Sequence, residues 1–225
     1  MTEPSRPVVV LAALPPEVGP LARGLRGVPD VRVVATGVGL RRAAAVARRE
    51  GPGAGLLVSA GCCGGLAPAA VAGTLVVPRR VLRDSTEGET PPTPDEAWGS
   101  RLRDAARAAG HLCMDGAIVS VRRALATAEE KRACRERTGA DAVDMETASV
   151  AQVAAELGVP YVSIRVVLDT AGEAIPQAPL DADGRLELRR LLLLAHPRTL
   201  LSLAALALRL RQVMPRLVAC LRAAL

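Results

Sequence analysis

The 225 residues, half of them hydrophobic, can bury one α/β core, and we expect one domain. With one Tyr, one Trp and no Phe, the chain lacks the aromatic side chains that stack on bases in proteins binding single-stranded nucleic acid. The net charge of +6 is concentrated in residues 185–225, which carry +7, so the other 184 residues carry −1. A neutral body with a basic tail argues against a basic folded face, and we predict no nucleic-acid partner.

The five cysteines show no CxxC spacing, and their odd number argues against a complete disulfide framework. The first residues do not look like a secretory signal, so we predict a cytoplasmic protein. The longest uncharged apolar stretch, residues 199–208, is too short to span a bilayer.

Short apolar runs alternate along the chain with longer segments of helical pattern. We predict strands at residues 7–14, 31–35, 55–60, 73–78, 117–121 and 161–168. We predict helices from residue 17, at 43–49, 96–109 and 127–137, and from about residue 147 to Gly158. Two glycine-rich segments, 37–39 and 61–65, are interpreted as turns, and 84–94 as a surface loop. The alternation predicts a single-domain α/β fold with a largely parallel sheet.

The glycine-rich turns by themselves do not identify a ligand. Small residues let backbone N–H groups approach a ligand closely. Arg42, however, stands where a dinucleotide-binding fingerprint needs a third small residue, and Leu57 follows where an acid would hold a ribose. There is also no GKS or GKT sequence. We therefore expect neither a dehydrogenase nor a P-loop protein.

Three acidic residues lie close to predicted strand ends. Glu17 follows the first strand, Glu146 precedes a helix, and Asp169 directly follows the last strand. In open α/β sheets the ligand crevice lies beyond the carboxyl ends of the strands. Each acid alone is more often a helix cap or a solvated turn residue, so the pattern leaves a functional and a structural interpretation open.

Several segments in family order resemble the superfamily of purine nucleoside phosphorylases and methylthioadenosine/adenosylhomocysteine nucleosidases. They are LPPEV at 14–18, SAGCCGGL at 59–66, GTLVV at 73–77, VDMETA at 143–148, and VPYVSIR at 159–165 continuing to Asp169. Together they cover roughly residues 8–172. The resemblance implies a nucleoside phosphorylase/hydrolase-like α/β fold, with a mixed central sheet flanked by helices. It also implies an enzyme that cleaves the N-glycosidic bond of a purine nucleoside.

The resemblance assigns catalytic roles to three residues. Asp169 would protonate or hydrogen-bond N7 of the purine, and Glu17 would polarise the attacking water with Arg165 nearby. The substrate-binding residues would be Glu146 on the ribose hydroxyls together with Met145, Cys62, Cys63, Gly64, Val143, Asp144 and Leu125. No metal site and no cofactor are implied. The structural alternatives stay open: Met145 as core, Arg165 as an ion-pair partner, and the two cysteines as small packing residues.

The first loop favours water over phosphate as the nucleophile. Pro15, Pro16, Glu17 and Ser59 stand where phosphorolytic relatives carry glycine and arginine, and a carboxylate repels phosphate. Phosphate stays possible as a co-substrate, because Arg41 and Arg42 follow the second strand and could bind it.

The C-terminal tail raises the question of a lipid partner. We assign residues 1–184 to the nucleoside phosphorylase/hydrolase-like domain and 185–225 to a basic, leucine- and arginine-rich helical extension of it. Such a tail is typical of a helix that contacts a membrane surface, here the inner face of the membrane, or of a helix packed on the body or on a second subunit. A homodimer is expected from the resemblance.

The preferred substrate hypothesis comes from one subgroup of the superfamily. Residues 121–125 lack the aromatic side chain that relatives place over the base, and LDADGR at 180–185 precedes the tail. Both features resemble the hopanoid-associated phosphorylase-like proteins, which implies release of adenine from adenosylhopane, a lipid-linked nucleoside. The alternatives are a methylthioadenosine/adenosylhomocysteine nucleosidase, a purine nucleoside phosphorylase, and a non-catalytic nucleoside-binding protein.

Overall fold

The computed structural model describes residues 6–84, 90–176 and 197–225. Nine strands in these residues form one mixed sheet: β1 Val8–Ala12, β2 Val31–Ala35, β3 Leu56–Gly65, β4 Leu75–Val76, β5 Arg80–Arg83, β6 Cys113–Met114, β7 Ala117–Ser120, β8 Ala142–Asp144 and β9 Tyr161–Asp169. Six helices flank it: α1 Pro15–Gly24, α2 Leu40–Glu50, α3 Glu96–Ala108, α4 Ala128–Thr138, α5 Thr147–Leu157 and α6 Pro197–Ala224.

The ten-residue strand β3 organises the sheet. Its first half pairs in parallel with β1, and nearly its whole length pairs in parallel with β9. Its last two residues, Gly64 and Gly65, pair antiparallel with β8, which continues in parallel to β7 and β5. The other edge of β9 pairs antiparallel with β4. The sheet is therefore mixed and flanked by helices in a single domain, which confirms the predicted fold class.

Alternate side chains of the strands enter two hydrophobic cores, as the period of two in a strand requires. Val9 and Leu11 of β1 face a core completed by α2 and α5. Val10 and Ala12 face the opposite core, which α1, α3 and α6 complete. Because both faces of the sheet are covered, β1, β3 and β9 are apolar along nearly their whole length, which made them recognisable in the sequence.

Three sequence-based assignments were wrong in detail. The segment 61–65 is the second half of β3 and not a turn, because it pairs with both β9 and β8. Pro15 and Pro16 begin α1 and do not delay it, since proline in a first helical turn gives up an N–H that has no helical partner there. The short strands β5, β6 and β8 were not predicted, because runs of four residues or fewer carry little periodic signal.

The C-terminal extension is partly a core element. Residues 185–196 and the proposed boundary at 184 lie outside the described residues. In the second half of α6, Met214, Leu217 and Leu221 are buried against the sheet and its neighbouring helices. Nearer the start of the helix, Leu201 and Leu208 are exposed. A search of the described residues finds no helix with the length and hydropathy to cross a membrane.

Candidate active site

The glycines of β3 allow side chains from other elements to approach its backbone. A Cβ atom at Gly61 would lie 2.8 Å from Glu17 Oε1 and 2.9 Å from Arg165 Nη1. One at Gly64 would lie 3.2 Å from Asp169 Oδ2. Three residues of extended strand span about 10 Å, so these two close approaches occur at separate levels of one strand. We call Glu17, Asp144, Glu146 and Arg165 the Gly61 cluster, and Asp169 with Lys131 the Gly64 pair.

Glu17 is a buried carboxylate fixed by two backbone donors. It lies in the first turn of α1 and is 3% exposed. Its Oε2 accepts a hydrogen bond from Leu14 N at 2.9 Å, and its Oε1 accepts one from Cys62 N at 2.7 Å. The second bond joins α1 to β3, so the position of this carboxylate depends on a tertiary contact with the glycine-rich half of β3.

Arg165 of β9 is the cation of the Gly61 cluster. Its Nη2 donates to Ser59 Oγ at 2.7 Å and to Thr147 Oγ1 at 3.0 Å, and pairs with Asp144 Oδ2 at 2.8 Å. Burial acts to lower the pKa of Arg165, but the neighbouring carboxylates of Asp144, Glu146 and Glu17 outweigh it and raise that pKa. Its buried Nε has no hydrogen-bond partner among the described residues. The described residues therefore leave this donor unused.

Asp144, at the end of β8, lies in a supporting position within the cluster. Its carboxylate accepts hydrogen bonds from the side chains of Ser120 and Thr147 and from Thr147 N at 3.1 Å, in addition to the Arg165 ion pair. Its side chain is 1% exposed. Asp144 thus fixes Arg165 and the start of α5, and its carboxylate oxygens face protein groups.

Glu146 connects the cluster to the loop after β2. It immediately precedes α5, and its Oε1 accepts a hydrogen bond from Gly39 N at 2.9 Å. Gly39 has φ of 100°, a conformation that glycine adopts without steric cost. Glu146 Oε2 lies 3.8 Å from Arg165 Nη1. Burial raises the pKa of Glu146 to about 7, with Arg165 opposing the rise and Asp144 adding to it.

Asp169 lies at the end of β9, on the other level of β3, and forms a buried ion pair with Lys131. The Lys131 ammonium also donates to Thr170 O and Glu173 O, each at 2.7 Å. Burial raises the pKa of Asp169, while the hydrogen bond and the charge of Lys131 oppose that rise. Lys131 was not predicted as a site residue. The sequence did offer one signal for this residue, because Lys131 is the single lysine in a chain with 28 arginines.

Lys131 is held by a well-defined helix start. Thr127 caps α4 by accepting a hydrogen bond from Glu130 N at 3.1 Å, and Glu130 Oε2 accepts one from Thr127 N at 3.2 Å. The segment after β9 is held from the opposite side, where Glu173 Oε2 accepts from Thr170 N at 2.8 Å and from Arg209 Nη1 of α6 at 2.9 Å. Contacts with α4 and α6 thus fix the segments that carry the Gly64 pair.

The remaining residues of the proposed site fall into two groups. Val143, Met145 and Leu125 belong to one apolar cluster, and a Cβ atom at Gly64 would contact Val143 as well as Asp169. Cys62 directs its thiol toward Met214 Sδ at 3.9 Å, and Cys63 is buried. Burial raises the pKa of both thiols, which keeps them protonated and unsuited to act as nucleophiles. In the described part of the chain, no group of three or more His, Cys, Asp or Glu is placed to hold a metal ion.

The structure thus brings Glu17, Glu146, Asp144 and Arg165 into one cluster and places Asp169 about three strand residues away from it, beside Gly64 and Val143. Glu146 and Asp169 make no direct contact with each other. This arrangement places three buried carboxylates with an arginine at one level of β3 and one buried carboxylate with a lysine at the other.

Comparison with known proteins identifies the family. Residues 11–190 match the model of the Phosphorylase superfamily. A futalosine hydrolase of Streptomyces coelicolor is 34% identical over 191 residues, which are 76% of this chain and 75% of that protein. The fold matches a methylthioadenosine/adenosylhomocysteine nucleosidase of Neisseria meningitidis in complex with methylthio-immucillin-A, with a TM-score of 0.76, 20% identity and coverage of 97% and 98% of the two chains. It also matches a futalosine hydrolase of Helicobacter pylori, with a TM-score of 0.75, 17% identity and 97% of each chain covered. The expectation of an enzyme that cleaves glycosidic bonds is confirmed, and this chain belongs to the phosphorylase superfamily.

Proposed function

We propose that this protein hydrolyses the N-glycosidic bond of a purine nucleoside, with the base at the Gly64 pair and the ribose at the Gly61 cluster. The observation that carries this proposal is the separation of two buried carboxylates, Glu146 and Asp169, along one strand. They lie at levels of β3 that are on the order of a nucleoside length apart. Glu146 lies near an arginine, Arg165, and Asp169 lies beside a lysine, Lys131.

At the base end, the leaving purine needs neutralisation of the negative charge that develops on it. Asp169 donates its proton to N7 while the electron pair of the glycosidic bond moves onto the purine. Burial raises the pKa of Asp169, which increases the fraction of molecules in which Asp169 carries a proton, although the ion pair with Lys131 opposes this rise. Once the proton has left, the Lys131 ammonium stabilises the carboxylate that remains.

At the sugar end, the oxocarbenium-like ribose needs an anionic environment and a positioned water. Ionised Glu146 accepts hydrogen bonds from the 2′ and 3′ hydroxyls, with Met145 against the sugar. Glu17 accepts a proton from the attacking water as its oxygen bonds to the anomeric carbon, and Arg165 Nε is a buried donor for that water. Asp144 is a positioning residue, because it fixes Arg165. The protein's own groups supply every charge in this scheme, and we propose no cofactor.

Two substrates are the first to be tested. The match to the Streptomyces protein supports futalosine. Adenosylhopane, the hypothesis from the sequence, is the second candidate, because exposed Leu201 and Leu208 on α6 suit a contact with lipid. Membrane contact through α6 and a homodimer are predictions that vesicle sedimentation and light scattering of the full chain would test.

The proposed function is tested by purine release from futalosine, methylthioadenosine and adenosylhopane, with and without phosphate. We expect at least one of them to be cleaved to a sugar product that carries no phosphate. Glu146→Gln should lower kcat/KM by about 10- to 100-fold, as expected for the loss of charged hydrogen bonds. Glu156→Gln, an acid paired with Arg48 at the far end of α5, is the matched control and should change it less than twofold.

Failure to release a purine from all three nucleosides would overturn the proposal. Phosphorylated sugar as the main product would overturn its hydrolytic step.

A further inference from the structure

A cavity of about 870 Å³ opens beside the Gly61 cluster. One wall is the loop after β2, including Val38 and Gly39, and the other includes Arg83 at the end of β5 and Arg122 after β7. The cavity is linked to Glu146 through Gly39, which lines it and donates a backbone hydrogen bond to that carboxylate. Neither Glu146 nor Asp169 itself is among the lining residues. The cavity therefore lies on the Glu146 side of the site.

The lining is strongly basic. Arg41, Arg42, Arg83 and Arg122 line the cavity, and no acidic side chain does so within the described part of the chain. Guanidinium groups that converge on one space repel each other unless an anion lies between them.

Two acids near these arginines in sequence are engaged elsewhere. Asp84, next to Arg83, pairs with Arg137 at 2.8 Å. Glu130 pairs at 2.7 Å with Arg123, the neighbour of Arg122. Within residues 6–84, 90–176 and 197–225, no carboxylate pairs with Arg41, Arg83 or Arg122. These three cations are therefore available to a ligand.

We propose that this cavity binds an anionic group, a carboxylate or a phosphate, carried on the 5′ substituent of the nucleoside substrate. The proposal rests on the proposed function, since Glu146 on the 2′ and 3′ hydroxyls places the sugar at the mouth of the cavity. The planar fork of arginine matches the two oxygens of a carboxylate or phosphate. A cavity of about 870 Å³ has room for a substituent much larger than a methylthio group.

The test uses two adenine nucleosides that differ only in charge, 5′-deoxy-5′-(3-carboxypropylthio)adenosine and its methyl ester. For the wild-type protein we expect kcat/KM for the carboxylate to exceed that for the ester at least tenfold, mainly through KM, and the preference to shrink as salt increases. In an Arg83→Gln/Arg122→Gln variant the preference should fall to within about twofold, with cleavage of the ester unchanged. Arg123→Gln is the matched control, because that neighbouring arginine is already paired, and it should retain the preference.

The same anion could instead be free inorganic phosphate. Each assay is therefore repeated with phosphate, and the sugar product is analysed by mass. Suppose that phosphate raises the wild-type rate and gives a phosphorylated sugar, and that the double variant shows neither effect. That result would overturn the assignment to the 5′ substituent.

Failure of this inference is distinguishable from failure of the proposed function. Equal cleavage of acid and ester by the wild-type protein overturns the inference and leaves nucleoside cleavage intact. If neither compound releases adenine, calorimetric Kd values for both on the wild-type protein decide the matter. Tighter binding of the carboxylate, lost in the double variant, supports the anion site, and equal or undetectable binding of the two overturns it.

Discussion

The Gly61 cluster and the Gly64 pair both bury carboxylates, but they balance the charge in different ways. At Gly61, three acids surround Arg165, and backbone and hydroxyl donors hold all three in place. At Gly64, Asp169 pairs directly with Lys131, and the charges of Glu173 and Arg209 act on it from farther away. Arginine does not give up its proton in proteins, whereas burial raises the pKa of the Asp169 carboxyl, which can then carry one. The comparison teaches that burial can fix a charge at one end of a site and keep a transferable proton at the other.

The largest expected effect is on the proton at the Gly64 pair. Asp169→Asn should lower kcat by about 10²- to 10⁴-fold, because an amide cannot protonate the leaving base. Binding of the nucleoside, followed by calorimetry, should persist. Asp104→Asn, which alters an exposed acid on α3, is the control and should leave kcat within twofold. A loss smaller than about tenfold in the Asp169 variant would remove Asp169 from the chemistry.

Removal of the fixed positive charge of Arg165 should have its clearest effect on the stability of the protein. Arg165→Met leaves Asp144, Glu146 and Glu17 without their shared cation and should reduce the free energy of unfolding by about 3–5 kcal/mol. Urea denaturation measures this change. Adding Asp144→Asn to the variant should recover part of the loss, because one of the unpaired charges is then removed. A variant as stable as the wild-type protein would show that the cluster does not depend on Arg165.

Loss of the cation of the Gly64 pair should reduce the free energy of unfolding less than loss of Arg165, because Asp169 can take up a proton. Lys131→Met should raise the pKa of Asp169 further, since burial then acts without an opposing charge. The alkaline limb of the pH–rate profile should move to higher pH, because Asp169 then keeps its proton longer. The value of kcat should nevertheless fall about tenfold, because the carboxylate left after proton transfer loses the ammonium that stabilises it. Arg132→Met changes the exposed neighbouring residue and is the control. An unshifted limb would assign Lys131 a purely structural role.

The acids could be located from the sequence, but their partners could not. Glu17 and Asp169 follow apolar strands whose carboxyl ends lie at the ligand edge of an α/β sheet, and that rule is local enough to apply without coordinates. Lys131 precedes Asp169 by 38 positions on a charged helix, and only the tertiary fold brings the two together.

The glycine-rich segment 61–65 also could not be assigned correctly from the local sequence. Local preference indicates a turn at 61–65, whereas the glycines of β3 are there because Glu17, Arg165 and Asp169 pack against their backbone. The arginine cavity was also only half predicted. Arg41 and Arg42 were considered as an anion site, but Arg83 and Arg122 reach it from strands distant in sequence.

The smallest predicted change concerns pH. With a pKa of about 7, Glu146 is increasingly protonated at lower pH and then accepts hydrogen bonds from ribose hydroxyls less well. We therefore expect kcat/KM to fall up to tenfold per pH unit below about pH 7, on the acid side of the alkaline limb that deprotonation of Asp169 sets. Glu146→Gln should remove this acid limb and leave a lower, flatter profile. A limb that persists in the variant would belong to another group.

The most direct test of the account is a crystal structure with an adenine C-nucleoside, whose carbon–carbon bond to the ribose cannot be hydrolysed. The account predicts one ligand molecule bridging both levels of β3, with the N7 edge of the base within hydrogen-bond distance of Asp169 and the ribose hydroxyls on Glu146. A ligand bound elsewhere, or side chains of these two residues that face separate regions, would contradict it.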